Sequence, residues 1–168
     1  TGEDEYKADQ LFATLDSVTR KNLSPGSRAI LFTDTVGFIS EIPTELIESF
    51  KSTLDEVKEA DILLHIADIS HPNFEEHIDS VNQILKEINC IGKPTIMVFN
   101  KIDMYKEIPW DENELIQKRN KKNYTLEEWK KTWISKKNEQ SIFISALKKK
   151  NVIELQSIIY QNVRKIHV

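Results

Sequence analysis

The sequence is poor in the residues that mark several common protein classes. It has one cysteine, Cys90, so no intramolecular disulfide can form. The simplest reading of Cys90 is a small apolar residue near a helix end. No apolar run approaches the roughly 18 residues that a membrane span needs. The longest buried-looking stretch, Asp61-Ile-Leu-Leu-His-Ile-Ala-Asp68, has strand length. The opening Thr-Gly-Glu-Asp-Glu shows no signal- or transit-peptide pattern, and it has no starting Met. The segment before Thr1 is therefore expected to be missing. The expected compartment is the cytoplasm, with an organelle left open. Glycine is scarce as well: Gly2, Gly26, Gly37 and Gly92 are the four. None of them opens a Gly-x-x-x-x-Gly-Lys-Ser/Thr loop, the form that cradles nucleotide phosphates with backbone N–H groups. His71, His77 and His167 show no metal-ligand spacing.

What is present suits one soluble domain: 168 residues, 39% hydrophobic and 30% charged. Charge is unevenly spread. Residues 1–103 hold 19 Asp/Glu against 9 Lys/Arg, a net of −10, and residues 104–168 hold 8 against 14, a net of +6. That asymmetry fits a basic face for nucleic acid, and equally a solvated surface without a partner.

Strands and helices alternate. Ser17–Leu23 and Arg28–Thr33 read as two strands joined by the turn Ser24-Pro25-Gly26-Ser27. Pro43 suits a first helical position, and a helix is predicted over about 44–59. Ile62–Ala67 reads as a fully buried strand, with His65 as a satisfied core histidine. Glu75–Ile88 is an amphipathic helix, Thr95–Phe99 a buried strand, Ile142–Ile144 a short strand, and Asn151 to about Lys165 a closing helix. Continuous apolar strands between helices predict a mostly parallel sheet covered on both faces.

Residues 104–140 interrupt this order with a polar, Lys/Asn-rich stretch that holds Trp110, Trp129 and Trp133. Thr125-Leu-Glu-Glu128 has capping-box spacing and predicts a helix start. Trp129 and Trp133, four apart, would share a face, either packed on the domain or turned to a partner.

Three short motifs each follow a strand, where an open α/β sheet places its ligands. In Asn100-Lys101-Ile102-Asp103, a carboxylate can accept from N1–H and the 2-amino group of guanine and would repel adenine. The Lys101 stem can lie over the base, and the Asn100 amide can tie neighbouring loops together. In Asp34-Thr35-Val36-Gly37, the acid suits Mg²⁺ and the glycine lets its N–H approach a terminal phosphate. The backbone N–H groups of Ser145-Ala146-Leu147 suit the guanine oxygen. Each motif alone recurs by chance; their joint order carries the weight.

That order, Asp34-x-x-Gly37 then Asn100-Lys-x-Asp103 then Ser145-Ala146, resembles translational and small GTPases. Leu11-Phe-Ala-Thr-Leu-Asp16 with Thr19-Arg20, then Asp34-Thr-Val-Gly-Phe-Ile39, then Ser49-Phe50 and Ser52-Thr-Leu54, resembles the HflX family specifically. The resemblance covers about residues 9–147. It implies a three-layer P-loop GTPase (Ras-like) α/β fold, mostly parallel with one antiparallel strand. Residues 1–168 would form a partial GTPase domain with an insertion at about 104–140. It implies a protein that binds GTP/GDP with Mg²⁺, hydrolyses GTP, and associates with the ribosome through its large subunit or rRNA. It implies switch segments around Phe12–Arg20 and Asp34–Ser49, with Thr14 and Asp34 at the metal. Phe38 stands where many GTPases carry a water-orienting Gln, so no catalytic side chain is assigned. The family's first strand, phosphate-binding loop and first helix are expected upstream of Thr1. This chain alone should then bind nucleotide poorly and be inactive, and the unpaired strand edges beside Asp34 and Asp68 would invite self-association. The alternatives are a non-enzymatic ribosome-binding or scaffold module and an unrelated parallel α/β domain.

Overall fold

The computed structural model describes residues 18–22, 29–35, 54–110, 120–135 and 140–166. The chain divides into two compact units, Thr1–Ala60 and Asp61–Val168.

In the first unit, β1 (Val18–Asn22) pairs antiparallel with β2 (Ile30–Asp34), with Val18 opposite Asp34 and Asn22 opposite Ile30. Thr19 and Thr33 face each other across the ladder, their hydroxyls 3.1 Å apart, a cross-strand pair of the kind that fixes register. Both strands lie within a residue or two of the sequence reading. Residues 54–59 are helical, the described end of the helix predicted over 44–59. The turn at 24–27 and Pro43 fall outside the described residues.

The second unit is built on a parallel sheet in the order β3 (Leu63–Asp68), β4 (Thr95–Asn100), β5 (Gln140–Phe143). Each strand is followed by a helix or an insertion on its way to the next. Helix α1 (Phe74–Glu87) carries Glu75 and Glu76 in its first turn and Lys86 in its last, which complements the helix dipole. It closes in a Schellman arrangement. Asn89 takes a left-handed φ of 58°, its N–H bonds Lys86 O, and the Cys90 N–H bonds Leu85 O at 2.8 Å. Cys90 is buried at that helix end, as the sequence suggested.

β4 is the central strand. Side chains alternate between faces, and both faces of β4 are closed, with Ile96, Met97, Val98 and Phe99 all buried. On one face Ala67, Met97, Phe99 and Phe143 pack with Phe74 and Ile78 of α1 and with Trp129 and Trp133 of α2 (Leu126–Ile134). Phe99 stacks on Phe143 at 4.5 Å, and Trp129 meets Phe74 edge-on at 4.9 Å. On α3 (Val152–Ile166), Ile159 is buried and the Asn162 amide donates to the Gln140 side-chain oxygen, so this helix borders β5.

The insertion is joined to the core rather than turned to a partner along α2. Thr125 and Glu128 form the expected capping box. Trp129 and Trp133 are only 3% and 5% exposed, which assigns both rings to packing. The Trp129 ring N–H donates to the Tyr105 hydroxyl, and that hydroxyl donates to the Tyr124 carbonyl. Lys121 pairs with Glu75 of α1 at 2.7 Å and lies over the Trp129 ring.

Two readings of β3 need correction. Ile66 is 61% exposed, so the strand is not fully buried. Among the described residues β3 has a strand on one side only, and an apolar run in sequence does not tell whether both sides are covered. His65 is half-buried rather than enclosed. Its burial still holds the imidazole below its ordinary pKa, because desolvation disfavours the cation.

Candidate guanine-nucleotide site

The carboxyl ends of β3, β4 and β5 place three loops side by side. β4 ends at Asn100, and the chain turns at Lys101 in a left-handed φ of 64°, a conformation that costs a non-glycine residue energy and clusters at functional sites. The Asn100 side chain supports that turn, its Oδ1 accepting the Lys101 N–H at 2.8 Å. The same oxygen accepts the Ala146 N–H at 3.0 Å. Two main-chain bonds run beside it, Ile144 N–H to Phe99 O and Ile102 N–H to Ile144 O. Asn100-Lys101-Ile102-Asp103 and Ser145-Ala146-Leu147 are thereby one unit, although they lie more than 40 residues apart in sequence.

Ser145 is fully buried and acts as the frame of its loop. Its hydroxyl accepts the Lys148 N–H at 3.0 Å, and its backbone exchanges two bonds with Lys150. Ala146 and Leu147 are exposed beside it, as is the Asp103 carboxyl. The Ala146 N–H is already engaged by Asn100, whereas the Leu147 N–H meets no acceptor among the described residues. Of the loop's amides, Leu147 therefore has the one freest for a ligand oxygen.

The sequence reading missed Asp68. It ends β3 directly opposite Asn100 in the parallel register, and its Oδ2 lies 2.6 Å from the Lys101 ammonium. Its Oδ1 accepts both the N–H and the hydroxyl of Ser70. Partial burial alone would raise the Asp68 pKa; the bonds from Lys101 and Ser70 outweigh it and hold the carboxyl below its ordinary value. The available signal was positional, since Asp68 and Asn100 end two neighbouring apolar strands.

In the first unit Asp34 closes β2 and is exposed. Thr14, Gly37 and Phe38 lie outside the described residues. Among the described residues no group of three or more His, Cys, Asp or Glu side chains could hold a metal. A lone carboxylate is nevertheless the usual protein share of a Mg²⁺–nucleotide site, where phosphates and waters fill most positions. Asp34 fits that role as a hard oxygen donor at a strand end.

Residues 1–101 match the family described as 50S ribosome-binding GTPase. This chain belongs to that family. Within it the chain is of the HflX type. It is 53% identical over 166 residues to a GTPase HflX of Flavobacterium psychrophilum, a match covering 98% of this chain and 40% of that protein. It is 48% identical over 113 residues to a GTPase HflX of Caldanaerobacter subterraneus, covering 67% of this chain and 26% of the relative. The chain thus spans less than half the length of these GTPases. A GTP-binding protein from the hyperthermophilic archaeon Sulfolobus solfataricus, solved in complex with GDP, matches with a TM-score of 0.64 and 29% identity over 95% of this chain and 48% of its own. The chain has the α/β fold of the P-loop GTPases, with a parallel sheet in one unit and an antiparallel pair in the other. The pattern Gly-x-x-x-x-Gly-Lys-Ser/Thr does not occur among the 168 residues of this HflX-type chain.

Proposed function

We propose that the protein carrying this chain binds GTP and GDP with Mg²⁺, hydrolyses GTP to GDP, and acts on the large ribosomal subunit. The observation that carries the nucleotide reading is the Asn100–Ala146 bond. It ties the two loops that would read the base and leaves the Asp103 carboxyl exposed next to them. Asp103 accepts from N1–H and the 2-amino group of guanine, and charge-assisted paired bonds of this kind are strong. Adenine presents an acceptor at the first position and no amine at the second, so the same carboxylate rejects it. The Leu147 N–H, with the shared Ala146 N–H, donates to the guanine oxygen. The Lys101 stem lies along the base.

Asp34 would hold Mg²⁺, with Thr14 as its partner in the GTP state and the Gly37 N–H at the terminal phosphate. The metal's chemistry is to neutralise charge that develops on the phosphates. No side chain of this chain is assigned to activate water. The ribosomal role rests on the family description and on the basic balance of residues 104–168. We read residues 1–168 as one partial GTPase domain working in the cytoplasm. By itself the chain should bind GTP with a dissociation constant above about 1 μM, because the lysine and most of the amides that hold the β- and γ-phosphates belong to a loop it does not contain.

The test is calorimetric titration of the intact protein with GDP and ADP in the presence of Mg²⁺. GDP should bind at least about 100-fold more tightly than ADP. Equal affinities would refute the guanine reading. Co-sedimentation with purified 50S subunits, stronger with a non-hydrolysable GTP analogue than with GDP, tests the ribosomal part.

A further inference from the structure

Lys101 is held at both ends, its backbone by Asn100, which also ties the Ala146 loop, and its ammonium by Asp68. Its backbone N–H is held by Asn100 Oδ1 at 2.8 Å, in a left-handed turn that aims the side chain back across the strand ends. Its ammonium is held by Asp68 Oδ2 at 2.6 Å, reaching from the end of β4 to the end of β3. Asp68 is itself fixed, because Ser70 donates twice to its other oxygen, at 3.0 Å from N–H and 2.5 Å from the hydroxyl. A lysine side chain carries much rotamer freedom, and a ligand that packs on its stem must freeze it. Here the freezing is done before any ligand arrives, which is how preorganisation raises affinity.

We propose that Asp68, braced by Ser70, is a positioning residue that stretches Lys101 across the strand ends so that its methylene stem forms a ready platform for the guanine base. Asp68 touches no part of the nucleotide and acts through Lys101. The proposal rests on the guanine-nucleotide reading above and adds a residue to it that the three motifs do not contain.

The test is a double-variant cycle of GDP affinity, measured by calorimetry with Mg²⁺ on the intact protein. The variants are Asp68→Asn, Lys101→Met and both together. Asp68→Asn keeps the shape and an oxygen for Ser70 but loses the charge that holds the ammonium. Lys101→Met keeps an apolar stem for the base and has no ammonium to hold, so binding remains measurable. Asp68→Asn should weaken GDP about 3–10-fold in the wild-type background, the effect of freeing one long side chain. In the Lys101→Met background it should change affinity less than about twofold, since a residue acting only through its partner adds nothing once the partner is gone. A merely structural role would lower affinity by the same factor in both backgrounds. That result, an unchanged affinity in the wild-type background, or a tighter complex on Asp68→Asn would each overturn the proposal while leaving GDP binding intact. If Asp68→Asn does not fold, Asp68→Ser takes its place in the same cycle. A wild-type protein that binds no GDP would sink the nucleotide reading, and this proposal with it.

Discussion

The side-chain oxygen of Asn100 accepts the backbone N–H of Ala146 at 3.0 Å, joining the end of β4 to the loop after β5. Asn100→Ala removes this bond and the one to Lys101, leaving the left-handed turn without its support. A single such bond contributes about 0.5–1.5 kcal/mol. Hydrogen exchange at the Ala146 amide should therefore quicken by about three- to tenfold while amides in the middle of β4 keep their protection. Unchanged exchange at Ala146 would mean that the two loops are held together by other contacts.

The insertion's aromatic residues should matter to stability as core residues do. Trp129 is buried against Phe74 and bonded to Tyr105, so Trp129→Ala should cost about 3–5 kcal/mol in urea unfolding. Tyr105→Phe removes the hydroxyl that Trp129 donates to and should cost about 1–2 kcal/mol. If Trp129→Ala unfolds at the wild-type urea midpoint, α2 is not part of the core.

His65 gives the fold a pH dependence with a definite sign. Burial lowers its folded pKa below the ordinary value of 6.5, so the unfolded chain binds the proton more readily. The contribution of neutral His65 is complete above that ordinary value and is lost as pH falls from it towards the lower folded pKa. The urea midpoint should drop between pH 7.5 and 5.5, and His65→Gln should flatten that drop. An equal drop in the variant would assign the dependence to other groups.

Much of this was legible in the sequence because the signals were local. The run Thr95–Phe99 reads as a buried strand, and β4 is one, since both its faces are covered. Thr125 and Glu128 announce the start of α2, and the four-residue spacing of Trp129 and Trp133 puts both rings on one buried face. What was not legible depends on neighbours distant in sequence. The exposure of Ile66 follows from which strands flank β3, and the half-burial of His65 follows with it. Asp68 looked like the polar end of a strand until the parallel register set it opposite Asn100 and within reach of Lys101. That Ala146 spends its N–H on Asn100, leaving Leu147 the freer donor, is likewise a matter of loop geometry.

The central claim is that Asp103 reads guanine, and the most direct measurement is nucleotide preference of the intact protein carrying Asp103→Asn. The substitution replaces one acceptor oxygen with an amide donor. The 2-amino group of guanine then loses its partner, while the 2-carbonyl of xanthine gains one. Discrimination by such bonds spans several orders of magnitude. GTP affinity should fall at least about 100-fold and XTP affinity should rise above it. If Asp103→Asn binds GTP as tightly as the wild type does, Asp103 is not the base reader and the assignment of this site is wrong.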